Sequence, residues 1–165
     1  MLGARCARAR TVKIMIYLKD SKIKVKDTQQ VAKLFCDLLQ LEDAVDQSKE
    51  HFYVMHLDIR SRINMIELVS LGTLTSSLVH PRETFRRAIM QGDASVIVAH
   101  NHPSGEPDPS DEDMKVTKLL LDAGKFLGIT VLDHIVFSND KHYSFKDCRV
   151  SNITGETSKK GGDSI

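Results

Sequence analysis

Apolar and polar positions alternate along the first part of this chain and then change period. Thr11 to Leu18 alternates as a strand does, with Lys19-Asp20-Ser21 as a turn and Lys22 to Val25 as a short partner strand. Val31, Ala32, Leu34, Phe35, Leu38 and Leu39 then recur at close to helical spacing, which predicts a helix capped by Asp27 or Thr28. A polar link through Gln47-Ser48-Lys49 leads to Glu50. Phe52 to Leu57 is apolar on both faces except at His56, the pattern of a central strand. Asp58 to Arg62 predicts a turn, and Ile63 to Leu71 the next strand, closed by Gly72.

The second half is punctuated more sharply. Pro81 suits the first helical position, Phe85, Ala88 and Ile89 supply an apolar stripe, and Gly92 supplies a stop. Ala94 to Ala99 is a continuous apolar run, predicted as a buried strand that delivers His100 at its end. His102 to Pro109 is too rich in Pro, Gly and Ser for helix or inner strand. Ser110 opens a long helix through Leu127, stopped by Gly128, and Val131–Phe137 with His142–Phe145 form a hairpin around Asn139-Asp140. Strands interleaved with helices predict an α/β fold with one mixed sheet flanked by helices. The chain divides into a basic segment with leading strands (1–26), one domain (27–150) and a flexible polar tail (151–165).

Composition narrows this picture without redirecting it. The length of 165 residues suits one domain with a proper core, and 41% hydrophobic with 27% charged residues is ordinary globular composition, so disorder is not the default. A formal net charge of +1 selects no class of partner. The exception is local: Arg5, Arg8, Arg10 and Lys13 precede the first acid, Asp20. Such a stretch either touches nucleic acid or a membrane surface or is a loose basic end. Cys6, Cys36 and Cys148 lie far apart, which argues against a disulfide framework or a four-cysteine zinc site and fits a reducing cytoplasm. No run approaches the roughly 20 apolar residues of a membrane span. Val12 to Leu18 is broken by Lys13, so it makes a poor signal peptide. The expectation is a soluble cytoplasmic protein.

The chemistry concentrates at His100-Asn101-His102, followed by Ser110 and Asp113. Residues two apart on an extended segment point the same way, roughly 6.6 Å apart at the backbone. Two rings at that spacing converge on one ion at ~2.0–2.1 Å from each nitrogen. The plain alternative is a pair of hydrogen-bonded loop histidines. Ser110-x-x-Asp113 also fits a helix capping box, a role compatible with Asp113 as a third ligand and with Ser110 as an oxyanion donor. Three protein ligands leave a zinc ion an open position, the mark of a catalytic site. Two histidines and an aspartate suit zinc best, though iron, manganese or cobalt also fit. A general base is needed, and the candidates are Glu50, Glu67, Glu83, Glu106 and Glu112; Glu50 stands immediately before the doubly buried strand. For Asp133 and His134 the plain reading is a turn cap and a sheet-packed ring. The alternative is that His134 orients a ligand from behind. Arg82, Arg86 and Arg87 read as a solvated helix face.

The segment AHNHPSGEPDPSDED, preceded by SLGTLTSSLVHPRETFRRAI and followed by LGITVLDHIVF, closely resembles the RadC-like branch of the JAB/MPN metalloproteases. Their JAMM signature is an upstream Glu plus H-x-H, seven to ten residues, S-x-x-D, and this chain has seven. The resemblance runs from about Glu50 to Phe145. It implies a cytidine-deaminase-like sandwich in which His100, His102 and Asp113 hold zinc. It implies further that Glu50, in E-H-F-Y-V-M-H-L-D, moves a proton from the attacking water to the leaving amine, while Ser110 supports the oxyanion. The reaction implied is hydrolysis of an amide or isopeptide bond in a peptide substrate. Longer members carry a helical N-terminal region suggestive of DNA contact, for which this chain has no room. The family's link with DNA repair supplies a second reading, a weakly DNA-associated module whose metal is structural or vestigial. A metal nuclease of the HNH kind fits poorly, because here the three residues are contiguous. A zinc deaminase is excluded, since H-x-E and P-C-x-x-C are both missing.

Overall fold

A strand that is apolar on both faces needs cover above and below it, and the computed structural model of the protein supplies that cover in three layers. It describes residues 23–72 and 79–153, together with the backbone of Met15–Tyr17. In chain order the elements are β1 (Met15–Tyr17), α1 (Thr28–Leu39), α2 (Ala44–Gln47), β2 (Glu50–Leu57), β3 (Ile63–Gly72), α3 (Pro81–Gln91), β4 (Ser95–Asn101), α4 (Asp111–Leu127), β5 (Thr130–Phe137), β6 (Lys141–Ser144) and β7 (Arg149–Asn152). The strands form one mixed sheet in the order β1-β3-β2-β4-β5-β6-β7. Every pairing is antiparallel except β4 with β5, which α4 connects as a crossover.

Period-two alternation sorts the core. Tyr53, Met55 and Leu57, with Ile97, Ala99, Ile135 and Phe137, pack against Val31, Ala32, Phe35 and Leu39 of α1. Phe52, Val54, Val96 and Val98 face the other way, toward Phe85 and Ala88 of α3 and Val116 and Leu120 of α4. Helix α4 approaches β5 closely because residue 124 is glycine: a Cβ there would stand 2.6 Å from the Ile129 carbonyl oxygen. The caps follow from local chemistry. The Asp27 side chain accepts from Gln30 N, Pro81 opens α3, and Gly92 and Gly128 end their helices with φ of 70°.

The α/β class and its mixed, helix-flanked sheet are as the pattern predicts; several local expectations are not. Lys22–Val25 is no strand partner among the described residues: Lys24 makes one isolated bridge, to Arg62, and β1 pairs with β3 instead. The four-residue helix α2, seeded by an Asp43 cap, has too few residues to show a period. His100 lies within β4 rather than beyond it, because the strand continues to Asn101. Ile89 is 58% exposed, so the buried side of α3 is Thr84, Phe85 and Ala88. Strand β7 pairs with β6 and takes in Ser151 and Asn152, which the sequence pattern assigns to the polar tail. Cys36 and Cys148 are unbridged. The basic residues Arg5 to Lys13, Cys6, the turn at 19–21 and the tail from Thr154 lie outside the described residues. Among the described residues, no helix is long and apolar enough to cross a membrane.

His56, the polar residue within the apolar run Phe52–Leu57 of β2, is flanked by two buried carboxylates. His56 is held between Glu67 Oε1 and Asp93 Oδ2, each 3.2 Å away, and Asn64 donates to Asp93 at 2.7 Å. Arg87 turns in from α3 toward Glu67, at 3.9 Å, and so leaves the solvated face expected for it. Burial opposes a charge on His56, but the carboxylates of Asp93 and Glu67, which accept from the protonated ring, outweigh it and raise its pKa. A raised folded-state pKa makes this stabilisation complete below the unfolded value of about 6.5, and lost as pH rises through the folded value. The expected result is a melting temperature that declines on the alkaline side of neutrality, with that decline flattened in His56→Gln. Calorimetry across pH 6–10 checks it, and parallel curves for the two proteins would remove His56 as the cause.

Candidate metal centre

Strand β4 carries His100, Asn101 and the backbone that continues to His102. The side chain of His100 is wholly buried, while His102 is partly open to solvent. The loop after β4 folds back at once. Gly105, with φ of 90°, completes a turn in which its N–H donates to the His102 carbonyl. The Glu106 carbonyl is thereby brought 2.9 Å from His102 Nδ1. A carbonyl oxygen only accepts, so His102 donates from Nδ1, and in the neutral ring its Nε2 is a bare lone pair.

Helix α4 then delivers Asp113 on its first turn. The capping box is complete: Asp113 N donates to Ser110 Oγ at 3.2 Å, and Ser110 N donates to Asp113 Oδ2 at 2.8 Å. Ser110 Oγ also donates to that oxygen, at 2.6 Å. Asp113 Oδ1 remains to face His100 Nε2 at 3.0 Å, while Oδ2 lies 3.4 Å from His102 Nε2. The two Nε2 atoms are 3.1 Å apart.

Donors so close, with few protons among them, call for a cation. A tetrahedral ion at ~2.0–2.1 Å from its ligands holds them roughly 3.3–3.4 Å apart; here the two Nε2 atoms are 3.1 Å apart, and they lie 3.0 and 3.4 Å from the two separate oxygens of Asp113. His100, His102 and Asp113 are the group found able to hold a metal among the described residues, and two imidazoles with one carboxylate fit a zinc-type ion. The electrostatics agree. Burial raises the Asp113 pKa, but His100 and His102, whenever a proton sits on their Nε2, and Ser110 outweigh it and keep the group far below the usual carboxylate range. Burial lowers the His100 pKa despite Asp113, whereas for the more open His102 the pull of Asp113 prevails and its pKa rises.

Glu50 begins β2 beside this cluster. Phe52 pairs with His100 across β2 and β4, so continuing the register outward brings Glu50 opposite His102. Its charge acts on both His100 and His102. The other candidate bases are engaged elsewhere: Glu67 with His56, Glu83 with Arg82 and Arg86, Glu112 with Lys115, and Glu106 toward Lys141.

Asn101, His134 and Thr117 also serve this site. Asn101, between the histidines, accepts from His51 N at 2.7 Å and donates to the Lys49 carbonyl at 2.9 Å. It therefore clamps the backbone on both sides of Glu50. Its position in H-N-H was visible in the sequence; its partners, some fifty residues away, were not. Asp133 caps a turn as expected, accepting from Ser144 Oγ and Lys146 N. His134 does more than pack in the sheet: its Nε2 lies 2.8 Å from His100 Nδ1, and its Nδ1 lies 2.5 Å from Thr117 Oγ1. Thr117 stands four residues after Asp113, hence on the same helical face.

Comparison with known proteins agrees with this geometry. A profile of the RadC-like JAB domain matches residues 25–150. The chain is similar to a UPF0758 protein of Methanosarcina mazei, 42% identical over 131 residues, covering 79% of this chain and 55% of that protein. A UPF0758 protein of Methanococcoides burtonii is 40% identical over 135 residues, 82% of this chain and 57% of its own length. A third, from Caldanaerobacter subterraneus, is 48% identical over 109 residues, 66% of this chain and 47% of its own length. The chain spans about half the length of these relatives. With a domain profile matched across most of its length and two histidines meeting an aspartate at the end of β4, this chain belongs to the RadC-like JAB domain family.

Proposed function

We propose that the protein is a zinc-dependent hydrolase of amide or isopeptide bonds, with His100, His102 and Asp113 as the metal ligands and Glu50 as the general base. The observation that carries this reading is the convergence of two Nε2 atoms and a carboxylate within 3.0–3.4 Å, with an acid beside them on the next strand. Zinc bound by three protein ligands supplies Lewis acidity toward a carbonyl and lowers the pKa of water at its open position to about 7. The side chains divide the remaining work. Glu50 takes a proton from the attacking water and returns it to the departing amine. Ser110 Oγ, whose proton rests on Asp113 Oδ2, becomes a donor to the developing oxyanion by rotating about Cβ–Oγ. Asn101 keeps Glu50 in reach by holding the backbone at Lys49 and His51.

The first test is the metal content of the untagged protein by elemental mass spectrometry, beside His100→Ala. Near-stoichiometric zinc, absent from the variant, is the expected result, followed by cleavage within a panel of peptides and isopeptides. A folded wild type that refuses added zinc, or a zinc-loaded protein inert on the whole panel, overturns the reading.

A further inference from the structure

The hydrogen bonds behind His100 impose an order on protons that the hydrolase reading does not use. Thr117 Oγ1 lies 2.6 Å from the Asp113 carbonyl oxygen and 2.5 Å from His134 Nδ1. A carbonyl only accepts, so the single hydroxyl proton goes to Asp113, and the Thr117 oxygen accepts from His134 Nδ1–H. His134 has then spent its proton, and its Nε2 is a lone pair directed at His100 Nδ1, 2.8 Å away. The proton between the two rings must come from His100. A cationic His134 would reverse that last bond, but neither of its bonded partners is an anion. Its ring is 2% exposed, stacked on Phe145 and met edge-on by Phe52, an environment that opposes a charge.

We infer that Thr117 and His134 are positioning residues that set His100 as its Nδ1–H tautomer and so present a bare Nε2 toward His102 and Asp113. The inference rests on His100 being a metal ligand. It also explains how ligands from two elements keep their separation. The chain of bonds starts at His100 on β4 and ends on the backbone of Asp113 in α4, so it ties one ligand to the other. On the opposite side, the Glu106 carbonyl does the same for His102. Both imidazoles are thus prepared for a cation by hydrogen bonds made entirely within the protein. Partners of this kind are worth about 10- to 100-fold in metal affinity.

Two measurements test the inference. In 15N NMR of the imidazoles of the metal-free protein, His134 and His100 are expected to carry their protons on Nδ1. In competition with a zinc chelator, Thr117→Val, which keeps the shape of the side chain but neither donates nor accepts, is expected to lose about 10- to 100-fold in zinc affinity, and Thr117→Ser to recover it. Melting curves establish that the variants are folded. Protonation of His134 at Nε2, or parental zinc affinity in a folded Thr117→Val, overturns the proposal. The wild-type spectrum decides even where a variant fails to fold. A wild type that takes up no zinc defeats the hydrolase reading, while the tautomer spectrum still decides the proton order.

Discussion

An Asp113→Asn variant is expected to take up no stoichiometric zinc and to lose the thermal stabilisation that zinc gives the parent. Asp113 is the only anion among the three converging side chains, and its neighbours keep it ionised far below the usual carboxylate range against the cost of burial. Asparagine keeps the size of the side chain and one oxygen to accept from Ser110, so the helix cap largely survives. The lost interaction with the helix dipole amounts to only about 0.3–1 kcal/mol. The charge is what disappears, so the substitution separates a ligand from a cap. At zinc concentrations 100-fold above its Kd, the parent gains about 2.7 kcal/mol of stability; the variant should gain none. Thermal melts with and without zinc read this directly. An equal zinc-dependent shift in both proteins would return Asp113 and Ser110 to being a capping box and nothing more.

Glu50→Gln is expected to do the opposite, keeping the metal while losing the reaction. Glu50 is not among the three converging side chains, but it sits on the neighbouring strand at the register position facing His102. Removing a general base costs typically about 10²- to 10⁴-fold in rate. That loss should appear in kcat on any peptide or isopeptide the parent cleaves, with zinc content unchanged. Asn101→Ala should fall between the two proteins, because it frees the backbone on both sides of Glu50 without touching the carboxylate. A Glu50→Gln protein as active as its parent would exclude Glu50 as the base. A variant that instead loses its zinc would make Glu50 a ligand.

Where local chemistry decided, the sequence was a sufficient guide. Pro81, Ser110, Gly92 and Gly128 act within one turn of the backbone they cap or end, so their roles could be read in place. H-x-H followed by S-x-x-D was legible for the same reason, since strand period and helix start are both short-range. Ile89 misled because helical spacing reports a stripe, whereas burial depends on what packs against it, and Ile89 lines an open groove between α3 and α4. Strand β7 escaped notice because a short polar strand takes its order from pairing with β6 rather than from its own side chains. Lys22–Val25 was misread in the converse way: of its described residues, Lys24 makes one isolated bridge, to Arg62, and it is β1 that pairs with β3.

The sequence by itself determined the α/β class, the caps and the identity of the converging donors, because each depends on residues within a few positions of one another. Only the tertiary structure decided what surrounds them. The antiparallel pairing of β2 with β4 brings Glu50 opposite His102 and gives Asn101 its two partners; the parallel pairing of β4 with β5 carries His134 behind His100. Those contacts join residues roughly 30 to 50 positions apart, and no spacing along the chain encodes them. They arise when the apolar strands stack in one register, and a one-residue slip of that register would turn His100 and His134 to opposite faces of the sheet.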